Sequence, residues 1–516
     1  MITTKDSLEF LKEQKDFAFD INYSDPPYAL GSEIIIRPDG KYDYKKATDF
    51  MNKWEMPTGE YWESWFEESY RTLKHGGYCI MYGMDRQLPM FQYYAIKSGF
   101  QVRQSMYWYF ISSFPKGTDL SKMIDKNANA ERVVVGKQKY SMPKADNSMS
   151  ENSYGISGGK LANGTTAERI NADITKPTTD LAKKYDGYKY SIAPLKQTCE
   201  TIMVFQKPYK TGSCMHDVLA YENGDNTCGC FALNIDAGRV DFTSEADEKE
   251  SKTKNQYKDF ETKPRKVNVI FGEFSMVERQ INYNPTGRYP SQTFCDSEVA
   301  KRLDEQSGIS KSNGHFNSVK KSIAFTNELK DIDFIQEDRI VSDIGGCSKI
   351  LHKCDYENGE MDLYVYEPKV SKTERNAGCE ELEEKPLAYS NQAKAELKRG
   401  NSNYDGGESK GHGNKIRQLK NNHPTLKPIS LSYRILKLFK SPNEQRIVYP
   451  FAGVQSEVIG GYKAGFTDYV GCELSEEYVK IGNARFEHWK NKPFDKKGKL
   501  EKSKDEKTIN EQLKFF

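Results

Sequence analysis

Apolar runs and amphipathic segments alternate along the first part of the chain, residues 1–112. The run Phe17–Ile21 predicts a buried strand, and aromatic residues at helical spacing between 61 and 73 predict a helix. We expect Gly76-Gly77 to stop that helix, because glycine is the usual residue after a helix end. The apolar run Tyr78–Tyr82 then predicts a second strand.

A second alternating stretch covers residues 421–489. Its apolar pattern predicts a helix over 429–439, strands over 446–449 and 468–473, and a last helix that begins at Glu476. Strands that alternate with helices are typical of a parallel, doubly wound sheet. The predicted fold class is therefore α/β, with a Rossmann-like and mostly parallel sheet.

Other segments depart from this alternation. Apolar runs over 100–111 and 200–205 predict two strands that pair antiparallel at the edge of the sheet. Residues 29–58 are polar without clear periodicity, which predicts a loop. Residues 136–175 are rich in Ser, Asn, Gly and Lys, which predicts a mobile loop.

These patterns divide the chain into four regions: the first half of an α/β domain at 1–209, an inserted region and linker at 210–420, the second half at 421–489 and a charged tail at 490–516. The inserted region is polar, basic and rich in Tyr. Such a surface suits the recognition of nucleic acid, and it equally suits an ordinary decorated surface.

Composition narrows the class of protein. Hydrophobic residues make up 37% and charged residues 29% of the 516 residues, which is typical of a soluble globular protein. No apolar run approaches a membrane span and no signal segment begins the chain, so we predict a cytoplasmic protein without a membrane partner. The net charge of +2 leaves the partner undefined. Cys214, His216, Cys228 and Cys230 lack a second cysteine pair at zinc-finger spacing, so no metal is predicted.

The first candidate site is Asp25-Pro26-Pro27-Tyr28, which follows the first predicted strand. Proline stiffens the backbone and has no N–H, so its carbonyl stays free to accept a hydrogen bond. A carboxylate on one side and a phenol ring on the other form a slot for a flat molecule that carries an amine, such as adenine. The alternative is a strand that merely ends in a proline turn.

The second candidate site lies at the other end of the chain. The strand over 446–449 is followed by a glycine turn with Phe451, Gly453 and Ser456, and the next strand ends at Glu473. A strand, a glycine turn, a helix and an acid about twenty residues later are typical of a nucleotide site, in which the acid accepts from ribose hydroxyls.

In this order, the motifs resemble the β group of the amino DNA methyltransferases, which use S-adenosylmethionine. The catalytic motif comes first, the recognition region second and the cofactor motif last, and the resemblance covers nearly the whole chain. Further matches are Asp6, Phe114–Lys116, Ser121–Lys122, Asp186–Tyr188, Leu195–Lys196, Glu200, Leu233–Asp236, Arg239, Gly287–Pro290, Lys372, Glu374–Gly378 and His423–Pro428.

The resemblance implies a catalytic role for the first motif. Asp25 would hold the target amine, the Pro26 carbonyl would accept from the same amine, and Tyr28 would stack on the base. The base would have to leave double-stranded DNA to reach this slot. Residues 1–209 would then be the catalytic half of the methyltransferase domain, and 210–420 the target-recognition region.

The resemblance also implies that 421–489 is the cofactor-binding half. Phe451 and Gly453 would flank S-adenosylmethionine and Glu473 would take its ribose. The remaining implied contacts are those of Asp6 near the adenine, of Ser456 at the start of the following helix, and of Thr425 and Lys427 at the methionine end.

Methylation of the exocyclic N6 of adenine in DNA is the implied activity. The acid at the first motif position favours adenine, because cytosine-N4 enzymes of this family more often have serine there; cytosine N4 stays an alternative. A restriction endonuclease partner and a homodimer stay open, as does an origin in a phage or a bacterium.

Two residues depart from the family pattern, Tyr449 and Gln455, and Ser456 replaces the usual threonine. Tyr449 is expected to add bulk near the cofactor. Gln455 replaces glycine, and a side chain costs energy there if the backbone requires a positive φ. A degenerate relative that binds DNA or a partner without methylating is therefore the second hypothesis.

Overall fold

The structure is a computed structural model. The residues it describes are 1–28, 33–45, 57–110, 117–137, 173–242, 245, 248–249, 267–269, 272–274, 286–295, 297–307, 310–315, 340–345, 352–353, 370, 372–387, 397, 399–400 and 416–492. Most of the predicted loop at 136–175 and the charged tail from 493 onwards lie outside these residues.

Two compact units interleave along the chain. The first consists of Met1–Asn234, Gln292–Asp296 and Cys354–Phe516, and the second of Ile235–Ser291 and Ser297–Lys353. The region expected at 210–420 is therefore divided between the two units.

The strands are numbered in chain order. They are β1 Ile2–Thr4, β2 Phe19–Ser24, β3 Ile34–Ile36, β4 Tyr42–Tyr44, β5 Leu73–Gly83, β6 Gln101–Val102, β7 Met106–Tyr109, β8 Thr118–Asp119, β9 Val133–Lys137, β10 Asp173–Lys176, β11 Lys189–Tyr190, β12 Cys199–Gln206, β13 Val267–Val269, β14 Gly272–Phe274, β15 Thr293–Cys295, β16 Ser310–His315, β17 Ile340–Gly345, β18 His352–Lys353, β19 Lys385–Leu387, β20 Arg417–Leu419, β21 Arg446–Tyr449 and β22 Asp468–Glu473.

The helices are numbered in the same way. They are α1 Ser7–Lys12, α2 Gly59–Thr72, α3 Leu88–Lys97, α4 Leu120–Asn127, α5 Asp180–Lys184, α6 Cys214–Glu222, α7 Ser297–Ser307, α8 Lys372–Asn376, α9 Ile429–Phe439, α10 Ser456–Lys463 and α11 Glu476–Trp489. The predicted bounds of α9, β21 and β22 and the start of α11 are confirmed. No helix in the described part of the chain is long and apolar enough to cross a membrane.

The first unit is built on one mixed sheet with the strand order β1-β22-β21-β2-β5-β12-β7-β15. The strands from β1 to β5 are parallel, and β12 runs antiparallel to both β5 and β7. The predicted mostly parallel α/β sheet is thus confirmed. The prediction that the antiparallel strand lies at the edge is wrong, because β7 and the sequence-distant β15 continue the sheet beyond β12.

The second unit contains the helix α7 and two antiparallel strand pairs, β13 with β14 and β16 with β17. An isolated antiparallel bridge joins Val240 to Arg288, and the Arg239 guanidinium donates to the Gly287 carbonyl at 3.1 Å. The described residues of this unit show no strand–helix alternation, as the sequence pattern indicated.

Three local predictions differ from the structure. The helix α2 ends at Thr72 without a glycine stop, and β5 starts at Leu73 and runs through Gly76 and Gly77. Residues 34–44 of the predicted loop form the hairpin β3–β4, and the long strand expected over 100–111 is split into β6 and β7.

Packing explains the position of Gly76 within the strand. It has φ +80, and a Cβ there would lie 2.7 Å from the ring of Phe231 and 2.9 Å from that of Tyr209. The end of α2 is stabilised instead by Lys207, whose buried ammonium donates to the carbonyls of Tyr70 and Leu73 at 2.7 and 2.8 Å. Lys207, which is distant in sequence, therefore terminates this helix, whereas a local glycine was expected to do so.

The core beneath α10 contains Tyr449, whose ring packs edge-to-face on Tyr23 at 6.2 Å between centroids. Its hydroxyl lies against Gly461 of α10, where a Cβ would collide with it. The ring thus fills the space between the sheet and the helix. The bulk of Tyr449, which was expected near the cofactor, is accommodated in this core.

This packing predicts the effect of Gly461→Ala. The added methyl group would overpack the site, so we expect the free energy of unfolding to fall by about 1–3 kcal/mol in urea denaturation followed by tryptophan fluorescence. Tyr449→Phe removes the colliding hydroxyl, for which the described residues offer no hydrogen-bond partner. Tyr449→Phe alone should have the free energy of unfolding of the wild type, and added to Gly461→Ala it should restore most of the lost stability. An equal loss in Gly461→Ala with and without Tyr449→Phe would contradict this packing.

Candidate active site

Three neighbouring parallel strands bring both candidate motifs to one edge of the sheet. β2 pairs with β21, and β21 pairs with β22, so their carboxyl ends point the same way. Asp25 directly follows β2, the glycine turn follows β21, and Glu473 ends β22. The crevice outside the carboxyl ends of parallel strands is where open α/β sheets bind ligands.

Asp25 is held by Lys427, a residue 402 positions away in the sequence. The Lys427 ammonium donates to both carboxylate oxygens, Oδ1 at 2.7 Å and Oδ2 at 2.6 Å. The Lys427 side chain is 4% exposed and that of Asp25 is 17% exposed. The structure brings this lysine to the first motif, and its contact with the methionine end of a cofactor stays a prediction.

Tyr28 contacts both members of the Asp25–Lys427 ion pair. Its hydroxyl donates to Asp25 Oδ1 at 3.2 Å and accepts from the Lys427 ammonium at 3.3 Å. The ammonium also lies 5.1 Å from the centre of the Tyr28 ring and 4.6 Å from that of Tyr82, which is cation–π distance. Burial raises the pKa of Tyr28, and the Asp25 charge raises it further, so the phenol stays protonated.

Glu200 is a second acid of this slot, and sequence reasoning did not include it among the site residues. It is buried in β12, with Oε2 at 3.5 Å from both the Lys427 ammonium and the Tyr28 hydroxyl. The available signal was an acid inside an apolar strand, because buried acids are rare unless they are paired.

A third acid, Glu457, lies in the first turn of α10 and is buried. Burial raises its pKa to about 7, the Asp25 charge adds to the rise, and Lys427 opposes it. With Asp25 and Glu200 at one ammonium, the slot holds more carboxyl groups than ammonium groups, which favours a ligand that donates hydrogen bonds.

The glycine turn and Glu473 are joined by hydrogen bonds. The Gly453 amide donates to Glu473 Oε2 at 3.0 Å and the Ser475 amide to Oε1 at 2.9 Å. Burial raises the pKa of Glu473, against the effect of these amides. Gly453 has φ +49, and a Cβ there would lie 3.3 Å from His423 Nε2, so both the backbone and the space favour glycine.

Gln455 adopts the left-handed conformation, with φ 65 and ψ 25. The positive φ that makes glycine the better residue is therefore present, and its cost is about 1 kcal/mol. The buried side chain makes a compensating hydrogen bond from Nε2 to Asn483 Oδ1 at 2.7 Å.

Gln455 is the cap residue of α10, so the hydroxyl of Ser456, the first helical residue, does not cap the helix. This hydroxyl accepts instead from the buried guanidinium of Arg485 at 3.0 Å. Arg485 also donates to the Val454 carbonyl at 2.5 Å. A buried arginine on α11 thus binds the backbone carbonyl before Gln455 and the side-chain hydroxyl after it.

Of the remaining predicted site residues, Asp6 follows β1 and Phe451 follows β21 at the same edge. Asp6 caps α1 through Oδ1 and accepts from the Tyr61 hydroxyl at 3.1 Å through Oδ2, and the Lys5 amide donates to the Glu473 carbonyl at 3.0 Å. Phe451 stacks on Trp65 at 5.7 Å. Thr425 is exposed.

The loop that carries Lys427 is positioned by α8. Glu374 is buried and accepts from the Ile429 amide at 2.8 Å, at the start of α9. Asn421 donates to the Arg375 carbonyl at 2.6 Å. No cluster of three or more His, Cys, Asp or Glu that could hold a metal occurs among the described residues.

A family model described as DNA methylase, of the N6/N4 type, matches residues 19–484. The chain belongs to the N6/N4 DNA methylase family. This match includes both motifs and every strand from β2 to β22. No curated protein sequence matches the chain.

Several solved structures are similar to the chain at low identity. PvuII DNA methyltransferase, cytosine-N4-specific, has 11% identity and a TM-score of 0.33, with 99% of this chain and 89% of that chain covered. The M1.HpyAVI–SAM complex has 9% identity and a TM-score of 0.31, with 94% of this chain and 98% of that chain covered. TTHA0409 from Thermus thermophilus, complexed with S-adenosyl-L-methionine, has 10% identity and a TM-score of 0.29, with 95% of each chain covered. At these scores the family assignment rests on the family model alone.

The burial of Glu374 predicts a pH dependence of stability. Burial raises its pKa from 4.5 to about 7, against the Ile429 amide and the Arg485 charge. Because the folded state binds the Glu374 proton more tightly than the unfolded state does, protonation of Glu374 stabilises the fold. This stabilisation is fully present below pH 4.5 and is lost as the pH rises through about 7.

We therefore expect the free energy of unfolding of the wild type, relative to that of Glu374→Gln, to fall by up to about 3 kcal/mol between pH 5 and pH 8. The glutamine can still accept from the Ile429 amide. Urea unfolding at four pH values measures this difference, with the exposed Glu383→Gln as the control. Parallel stability curves for the wild type and Glu374→Gln would show that the site carries no raised pKa.

Proposed function

We propose that the chain transfers a methyl group from S-adenosylmethionine to the exocyclic N6 of adenine in double-stranded DNA. The observation that carries this proposal is the convergence of Asp25 and Tyr28 with Gly453 and Glu473 on adjacent strand ends. Membership of the N6/N4 DNA methylase family supplies the reaction class.

The slot suits a flat base that carries an amine. The Asp25 carboxylate accepts a hydrogen bond from the amine, the buried Pro26 offers its carbonyl, and the Tyr28 ring offers a stacking face. The nitrogen lone pair is delocalised into the base, so orientation beside a carboxylate and exclusion of water are the main contributions of the protein. The target base leaves the duplex at a cost of about a few kcal/mol.

The cofactor site fits the nucleoside part of S-adenosylmethionine, which supplies an activated methyl group on a sulfonium. Glu473 is fixed by two backbone amides and each of its oxygens can accept a further hydrogen bond, which suits two ribose hydroxyls. Gly453 lets the backbone approach closely, while Asp6 and Phe451 border the same edge. Thr425 and Lys427 were assigned to the methionine end; of these, Lys427 is engaged by Asp25.

Adenine is favoured over cytosine by the acid at the first position of the catalytic motif. We assign recognition of duplex DNA to the region 210–420, which includes the second unit. A cytoplasmic location follows from DNA as the substrate. A homodimer and a paired restriction endonuclease are not needed for this chemistry.

The direct test is methylation of methyl-free plasmid DNA with S-adenosylmethionine, followed by mass spectrometry of the nucleosides. N6-methyladenine is the expected product. N4-methylcytosine would replace the adenine assignment, and the absence of both together with no cofactor binding in calorimetry would favour the non-catalytic relative. Binding at micromolar affinity, about −8 kcal/mol, is expected.

Asp25→Ala should abolish methyl transfer, with at least a roughly hundredfold loss of kcat, because the amine loses its acceptor. The affinity for S-adenosylmethionine in calorimetry should stay within about threefold, since Asp25 lies outside the nucleoside site. Asp25→Asn, which keeps the shape without the charge, should be nearly as inactive. Loss of cofactor affinity in step with activity would contradict the role assigned to Asp25.

Gln455→Gly should raise the affinity for S-adenosylmethionine, by about a few fold, because glycine adopts φ 65 without strain. The control is Asn483→Ala, which removes the hydrogen bond of Gln455 and keeps its backbone. Calorimetry on both variants separates strain from hydrogen bonding. An unchanged affinity in Gln455→Gly would remove the strain argument.

A further inference from the structure

The ammonium of Lys427 lies where a target amine is expected. It donates to both oxygens of Asp25, at 2.7 and 2.6 Å, and lies 3.3 Å from the Tyr28 hydroxyl. The rings of Tyr28 and Tyr82 flank it. Lys427 thus makes the contacts that the catalytic motif would offer to a base.

This ion pair opposes the proposed methyl transfer. A carboxylate neutralised by an ammonium is a weaker acceptor for an amine. It also stabilises less well the positive charge that grows on the amine nitrogen during methylation. Asp25 therefore works best when the ammonium has moved away, yet Lys427 is only 4% exposed, and a buried ammonium without a partner is costly.

Glu200 offers the ammonium a second partner inside the slot. Its Oε2 is 3.5 Å from the Lys427 ammonium, and its side chain is fully buried. A direct charge-assisted hydrogen bond of about 2.8 Å requires a movement of less than about 1 Å, which rotation about the last bonds of a lysine side chain supplies. The Tyr28 hydroxyl lies between the two acids, at 3.2 Å from Asp25 and 3.5 Å from Glu200.

We propose that Lys427 is a positioning residue that exchanges its ion-pair partner, from Asp25 to Glu200, when the target base enters. The exchange releases Asp25 for the amine and keeps the buried ammonium paired throughout. It rests on the proposed function, because it concerns the same slot, and it gives Glu200 a role that depends on Lys427.

That dependence defines the experiment, a double-mutant cycle of Glu200→Gln and Lys427→Met. Glu200→Gln keeps the shape of the side chain and removes the charge that receives the ammonium, so Lys427 stays on Asp25. We expect kcat on methyl-free plasmid DNA to fall by about tenfold or more. The conservative Glu200→Asp should retain most of the activity, because it keeps the charge.

Lys427→Met removes the ammonium that blocks Asp25. The double variant should therefore be several times more active than Glu200→Gln alone. It should also be at least as active as Lys427→Met alone, because Glu200 has no ammonium left to receive. The comparison of the double variant with Lys427→Met alone tests the proposal even if Glu200→Gln by itself does not fold.

Thermal denaturation and calorimetry with S-adenosylmethionine check each variant for folding and for an intact cofactor site. The control is Asp125→Asn, a buried acid that accepts from the amides of Thr178 and Thr179, and its activity should match the wild type. It shows the effect of losing a buried charge outside the slot.

The outcomes separate the two proposals. A folded wild type that methylates no DNA overturns the proposed function, and the exchange with it. An active wild type with an unimpaired Glu200→Gln overturns the exchange alone. An impaired Glu200→Gln that Lys427→Met fails to rescue also overturns the exchange, because Glu200 then acts independently of Lys427.

Discussion

Parallel pairing of β2 with β21 is the interaction on which the site depends. It joins a strand near the start of the chain to one near residue 447, in the register Ile21 opposite Ile447. Because parallel strands end at the same edge, this single pairing brings the Asp-Pro-Pro-Tyr motif beside the glycine turn. The two motifs thus meet at one edge of the sheet although most of the chain separates them in sequence.

Buried charge is the second organising constraint of the slot. The carboxyl groups of Asp25 and Glu200 meet one ammonium there, and taking each charge out of water is costly unless it is paired. Lys427 satisfies Asp25 and lies within reach of Glu200, while Glu457 has a raised pKa that favours its protonated form. The electrostatics thus depend on where one flexible lysine is placed.

The departures from the family pattern are absorbed by local packing. Tyr449 fills the core against Gly461, and Gln455 offsets its left-handed backbone with a hydrogen bond to Asn483. Arg485 then holds the carbonyl before Gln455 and the hydroxyl after it. The glycine turn keeps its connection to Glu473 even though one of its glycines is replaced.

The sequence by itself determined the α/β class, the bounds of α9, β21 and β22, and both candidate motifs, because apolar periodicity and short motifs are local properties. Tertiary structure alone decided that β12 lies inside the sheet, since only strand pairing at a distance shows which strand is outermost. It also decided that Lys427 and Glu200 meet at Asp25. Such contacts join residues hundreds of positions apart, and no local pattern encodes which of many buried acids a lysine will find.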